Sequence, residues 1–386
     1  MSRGINTKCL HLEESEGRVE HYGAISYPIY QTATYAHPGV GKSTGYDYNR
    51  VSNPTRDRLE KMLVSLESGT DALAFSSGMA AITLLMELFK PGDHIIADSD
   101  LYGGSIRLFK EINEKNGLKF SSIDCQRDNA EDFITENTKA IYIETPTNPM
   151  MNVIDIRAAA KIAHKHDLLF IVDNTFMTPV FQNPLSLGAD IVIHSGTKYL
   201  GGHNDTLAGF IVTNRNDLSE RLRFLYKTTG SGLAPFDSWL ILRGLKTLGI
   251  RMEKAQDNAV KLAQWLKTRD NVRKVIYPGL KDHPGYEIQK AQARGFGAML
   301  TVELESKEYA LSVLEKLRMI KFAESLGGVE TLITYPVTQT HADVPEEIRA
   351  ANGITDSLLR ISVGIEDAED LIGELAGVFD EIERNR

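Results

Sequence analysis

Cysteine is scarce: Cys9 and Cys125 are the only two in 386 residues. Two are too few for a disulfide framework or a cysteine metal site. No apolar run approaches the roughly 20 residues that a membrane-crossing helix needs. No basic run or stripe offsets the formal net charge of −9, which argues against a general nucleic-acid binder. Low-complexity tracts and internal repeats are also missing. Residues 1–23 alternate charges without an apolar core and do not read as a secretory signal. These absences predict a protein of a reducing, aqueous compartment, most simply the cytoplasm, with neither membrane nor nucleic acid as partner.

The ten histidines do not assemble a metal site. His164 and His166 stand two apart on a predicted helix and face different ways, and no His-Glu-x-x-His is present. A Walker lysine motif is absent as well. The run Gly230-Ser231-Gly232-Leu233-Ala234-Pro235 follows no predicted strand and reads as a loop.

What remains is ordinary in composition, 42% hydrophobic and 25% charged, and long enough for two domains. Residues 1–45 read as an extended arm that could not close a core alone. It wraps either its own domain or a partner subunit. From residue 46 to about 245, short β-branched runs (71–75, 94–97, 119–123, 140–144, 168–172, 191–194, 208–213) alternate with helical stretches. That alternation predicts an α/β domain, a largely parallel sheet covered on both faces. A long amphipathic helix over 238–268 then opens a smaller α+β domain, 246–386. Its predicted strands are 272–277, 298–305 and 358–363, and its helices 309–317 and 368–383.

In parallel sheets, ligands bind beyond the carboxyl ends of the strands. The stretch at 190–204 places Lys198 just after a buried strand, beside Ser195 and Thr197. Such a lysine is either structural or held dry with a lowered pKa. In the second case it can form a Schiff base with a carbonyl, including the aldehyde of pyridoxal phosphate. Ser77-Gly78-Met79 joins a strand to a helix N-terminus, a natural anion site. Asp173 ends the preceding strand and serves either as a turn former or as partner of a ring nitrogen. Tyr102 can stack on a ring. Tyr48 and Arg50, two apart in an extended segment, point the same way and suit either a phosphate or a solvated turn. Arg360, heading an apolar strand, suits a substrate carboxylate or a structural ion pair.

Together these motifs resemble the PLP-dependent transsulfuration (Cys/Met metabolism) enzymes over almost the whole chain, about residues 7–379. Residues 190–204, Tyr48-x-Arg50-x-x-Asn53-Pro54-Thr55, Tyr102-Gly103-Gly104, Glu144-Thr145-Pro146-Thr147-Asn148-Pro149 and Asp173-Asn174-Thr175 carry the resemblance. It implies the PLP-dependent transferase fold of type I, with a mostly parallel seven-stranded sheet. It also implies roles. Lys198 holds the cofactor and moves protons, helped by Tyr102; Asp173 pairs the ring nitrogen. Ser77, Gly78, Met79, Ser195 and Thr197 hold the phosphate, with Tyr48 and Arg50 reaching it from a neighbouring subunit. Arg360, Ser325 and Asn148 fix the substrate carboxylate. A homotetramer of catalytic dimers is expected. Ser52 departs from the glycine of many members.

The reaction is less firmly written. Asp47 matches the γ-synthases of the family and Glu324 both the γ-synthases and the γ-lyases, and two carboxylates would suit the distal ammonium of cysteine or cystathionine. Gly104 stands where methionine γ-lyases usually carry a cysteine. The resemblance therefore implies γ-replacement, O-acetyl- or O-succinyl-L-homoserine plus L-cysteine giving L-cystathionine. Cystathionine γ- or β-lyase, or a homoserine-ester sulfhydrylase, keeps the same cofactor chemistry. A catalytically silent binding protein of the same fold is the reading from another class.

Overall fold

Seven of the β-branched runs are strands of one sheet in the computed structural model, which describes residues 3–12 and 21–386. They are β1 (Asp71–Phe75), β2 (His94–Asp98), β3 (Lys119–Ile123), β4 (Thr138–Glu144), β5 (Leu169–Asp173), β6 (Ile191–Ser195) and β7 (Gly209–Thr213). Their order is β1-β7-β6-β5-β4-β2-β3, and β7 runs antiparallel to both of its neighbours. The other pairings are parallel, as the α/β alternation predicts.

Successive side chains of a strand point to opposite faces. Ile141, Ile143, Phe170, Val172 and Val192 accordingly enter one core. Ala140, Tyr142, Ile171, Ile191 and Ile193 enter the other. With both faces apolar, helices must cover both. Pro54–Glu67 and Ile156–Lys165 lie on the first face, and Gly78–Met86 on the second.

A second sheet follows in the order β10-β11-β12-β9-β8. It comprises β8 (Val272–Ile276), β9 (Met299–Leu304), β10 (Lys321–Phe322), β11 (Leu332–Thr334) and β12 (Leu358–Ser362). β10 and β11 were not expected, because two or three residues carry no readable periodicity. Val302 and Ile361 share the core that contains Phe170, so one apolar cluster binds the two sheets together.

The helix expected over 238–268 is broken in two, Pro235–Leu245 and Leu248–Leu266. Thr247 leaves helical geometry at φ −113°, ψ 6°. The freed Gly244 carbonyl accepts from the Thr247 N–H at 3.2 Å and from Arg251 Nη2 at 2.9 Å, so the break is satisfied by hydrogen bonds. A helix at Asn216–Thr229, also unforeseen, follows β7.

The expected arm is not extended throughout. Its helix Ile5–Leu10 buries Cys9 against the helices Pro54–Glu67 and Leu248–Leu266 of its own chain. Residues 1, 2 and 13–20 of the arm lie outside the described residues. Farther on, Ile25 and Val40 stand fully exposed. Among the described residues no helix is long and apolar enough to cross a membrane.

Candidate active site

The C-terminal ends of β1, β4, β5 and β6 converge, as parallel topology requires. After β1, Ser77 caps the helix Gly78–Met86, its hydroxyl accepting the Ala80 N–H at 3.1 Å. The N–H groups of Gly78 and Met79 precede the first intrahelical acceptor and sit at the positive end of the helix dipole. Gly78 leans on the end of β6: a Cβ there would come within 3.1 Å of the Ser195 Cβ. The two strand ends thus form one cup.

Beyond β6 the chain folds tightly. Lys198 N–H donates to the Ser195 carbonyl at 3.2 Å, and Gly201 N–H to the Gly196 carbonyl at 2.9 Å. Thr197 fastens the turn to β7 by accepting the Ala208 N–H at 3.0 Å. Buried Arg251 grips the other side, donating to the Tyr199 carbonyl at 2.7 Å. Lys198 Nζ then reaches Ser325 Oγ at 2.9 Å. Burial lowers its pKa to about 8, helped by Arg360 and opposed by Glu324.

Asp173 and Glu144 end neighbouring parallel strands in register, so their side chains share one face. Asp173 accepts the Thr175 N–H at 2.9 Å, while Glu144 Oε2 accepts the Tyr102 N–H at 3.0 Å. Burial raises the pKa of both. Hydrogen bonds from Thr175 and the charge of His194 oppose the shift at Asp173; the charge of Asp173 adds to it at Glu144. The Tyr102 phenol is also raised, by burial first and then by Glu324.

From the second sheet, β12 contributes Arg360, only 1% exposed. Its Nη1 donates to Asn148 Oδ1 at 2.9 Å, and its Nη2 to the Ser325 carbonyl at 2.9 Å and to Thr334 Oγ1 at 3.1 Å. Its Nε is buried with no partner among the described residues. Burial lowers this guanidinium to about 10. Ser325 serves both cations from a backbone at φ 115°, a region that side chains avoid.

One cavity of about 190 Å³ gathers most of the residues singled out in the sequence. Ser77, Gly78, Met79, Tyr102, Asn148, Asp173, Ser195, Thr197, Lys198, Glu324, Ser325 and Arg360 all line it. Asp47, Tyr48 and Arg50 do not line it in their own chain. Asp47 instead accepts from Ser43 at 2.7 Å and faces His37 at 3.4 Å. Arg50 lies over the Tyr48 ring at 5.4 Å and donates to the Lys227 carbonyl at 2.5 Å. Sequence reading gave no individual role to three contributors. Glu144 and Thr340 line the cavity, and Thr334 holds Arg360. Glu144 had a signal, a carboxylate at a strand end beside Asp173; Thr334 had none without β11.

The cavity's donors fit pyridoxal phosphate. It offers free helix N–H groups at Gly78 and Met79 and hydroxyls of Ser77, Ser195 and Thr197 for the phosphate. The carboxyls of buried Glu144 and half-buried Asp173 line the same cavity, lack an ion pair among the described residues and suit a protonated ring nitrogen. The amine of Lys198 and the ring of Tyr102 share the same cavity.

Residues 6–380 match the family model described as "Cys/Met metabolism PLP-dependent enzyme". The chain belongs to this family. The Cys/Met metabolism enzymes use pyridoxal phosphate, which is therefore the cofactor here. Among them, a cystathionine gamma-lyase of Bacillus subtilis is 50% identical over 94% of this chain and 96% of its own. A cystathionine gamma-synthase/O-acetylhomoserine (thiol)-lyase of the same organism is equally 50% identical, over 97% and 96%. The solved cystathionine gamma-lyase of Lactobacillus plantarum, complexed with L-serine, superposes with a TM-score of 0.95 at 44% identity, covering 99% of this chain and 100% of that one. Family membership thus gives a PLP-dependent transsulfuration enzyme and leaves its particular reaction to the site.

Proposed function

We propose that the protein is a γ-synthase: an O-acyl-L-homoserine, O-acetyl or O-succinyl, and L-cysteine become L-cystathionine and the free acid. The observation that carries this reading is Glu324, a carboxylate at the cavity wall one residue from Ser325. It is the acidic counterpart of Lys198 and Arg360, and its charge acts on both. Arg360 receives the α-carboxylate of the homoserine, held flat by Asn148 and Ser325. Glu324 is then left to attract the ammonium of the incoming cysteine.

Pyridoxal phosphate, when bound, supplies the electron sink that makes the α-proton acidic. Asp173 holds the ring nitrogen, and the cup at Ser77, Gly78, Met79, Ser195 and Thr197 holds the phosphate. Lys198, neutral above about pH 8, takes the α-proton on Nζ and returns protons to the carbon skeleton. At the γ-carbon the C–O bond breaks, the acyl group leaving with the bonding pair as its carboxylate, and a C–S bond forms; the proton lost by the thiol, passed on with the help of Tyr102, accounts for the free acid. Tyr48, Arg50 and Asp47 complete the site of a neighbouring subunit in a homotetramer of catalytic dimers, working in the cytoplasm.

The equally similar γ-lyase relative favours a second reading, breakdown of cystathionine at the same γ-carbon. Product analysis separates the two. Given O-acetylhomoserine and cysteine, the purified enzyme should accumulate cystathionine. Rapid 2-oxobutyrate or pyruvate from cystathionine alone, with none made from the first pair, would assign it as a lyase.

A further inference from the structure

We propose that Glu144 is a positioning residue of the cofactor site: its carboxyl keeps a proton so that Asp173 alone carries the charge, while its second oxygen anchors Tyr102. The carboxyls of Glu144 and Asp173 leave neighbouring strands in register, on one face, into one cavity. Two such groups in a dry site do not both ionise. Their surroundings decide which one holds the proton.

Asp173 accepts hydrogen bonds from Thr175 and has His194 nearby to favour its anion. Among the described residues Glu144 accepts only the Tyr102 N–H, and the carboxyls of Asp173, Asp100 and Asp98 all act against its ionisation. Ionised, Glu144 would lie beside Tyr142 of its own strand, and Arg360, across the cavity, is the cation that would favour its anion. Arg360 is already fixed by Asn148, Ser325 and Thr334 and makes no ion pair with Glu144 among the described residues. The proton therefore resides on Glu144. Neutral, it still accepts from the Tyr102 N–H, and so sets the backbone from which the Tyr102 ring meets the cofactor.

This inference rests on the assignment of Asp173 to the ring nitrogen, and Asp173→Asn tests that assignment separately by its loss of cofactor affinity. For Glu144 the decisive variant is Glu144→Gln, which keeps the acceptor and removes only the proton exchange. Infrared difference spectra of holoenzyme against Glu144→Gln should contain the C=O stretch of a protonated carboxylic acid. Titration of the apo-protein with pyridoxal phosphate should give a Kd within about twofold of wild type for Glu144→Gln. Glu144→Ala, which strands the Tyr102 N–H, should weaken it about tenfold. Absence of the acid band, or equal losses in the Gln and Ala variants, would overturn the proposal. A Glu144→Ala protein with unchanged affinity would overturn it too.

Discussion

The amine of Lys198 and the hydroxyl of Ser325 meet at 2.9 Å across the seam between the two sheets. Lys198 arrives on the turn after β6, and Ser325 follows β10. The same serine offers its carbonyl to Arg360 at 2.9 Å, so one residue at φ 115° orients two cations. Their proximity disfavours a charge on the lysine, the more titratable of the pair. The second sheet thereby favours the neutral amine on a lysine that the first sheet carries.

A pH dependence follows from the depressed Lys198 amine. Its pKa falls from 10.5 to about 8 on folding. Between those values the unfolded chain binds the proton and the folded chain does not, so stability rises with pH across that window. The apo-protein should gain roughly 3 kcal/mol from this group between pH 8 and 10.5. The gain should vanish in Lys198→Met, as denaturant melts at several pH values will measure. Capture of pyridoxal phosphate by the apo-protein should likewise quicken with pH and level off above about 8.

Removing the amine altogether is the severest test of the site. Lys198→Ala should lower turnover by more than about a thousandfold, since both the attachment point and the proton carrier are lost. The visible absorbance of the bound cofactor should change with it. Near-normal product formation would remove Lys198 from the chemistry.

Much of this was legible in the sequence because the large sheet is written in strong, local signals. Ile191-Val192-Ile193 before Ser195 and Lys198, or Phe170-Ile171-Val172 before Asp173, are buried strands with polar ends, and parallel topology brings such ends together. The second sheet was less readable. β11 is three residues long, yet it sets Thr334 opposite Arg360, a pairing that only the register reveals. The break at Thr247 was hidden because its cause is tertiary, with Arg251 dividing its guanidinium between Gly244 and Tyr199. Asp47, Tyr48 and Arg50 illustrate another limit: their motif is plain, but a single chain leaves them outside its own cavity.

Arg360 should prove irreplaceable by lysine. The guanidinium has five N–H donors in a rigid fork, and three hydrogen bonds already fix its plane while Nε stays free. A lysine ammonium, with three donors on one atom, cannot satisfy Asn148, Ser325 and Thr334 and still donate to a carboxylate, whereas Arg360 keeps its Nε–H. Arg360→Lys should raise KM for the amino-acid substrate by about a hundredfold, with a smaller fall in kcat. Initial-rate kinetics will measure both. An unchanged KM would place the substrate carboxylate elsewhere.

Glu324 should govern the choice of substrate more than the rate of the common steps. It stands beside Ser325 on the wall shared with a wider cavity. A carboxylate there favours a substrate with a second ammonium, as cysteine and cystathionine have once the first amino acid is seated. Glu324→Gln keeps the volume and removes the charge. KM for cysteine should rise about tenfold, the worth of one exposed charge-assisted contact, while KM for O-acetylhomoserine changes less than about threefold. Removing the carboxylate also eliminates an interaction that raises the Lys198 pKa, so the alkaline plateau of cofactor capture should begin at lower pH. Parallel increases in both KM values would mean that Glu324 shapes the cavity without distinguishing the substrates.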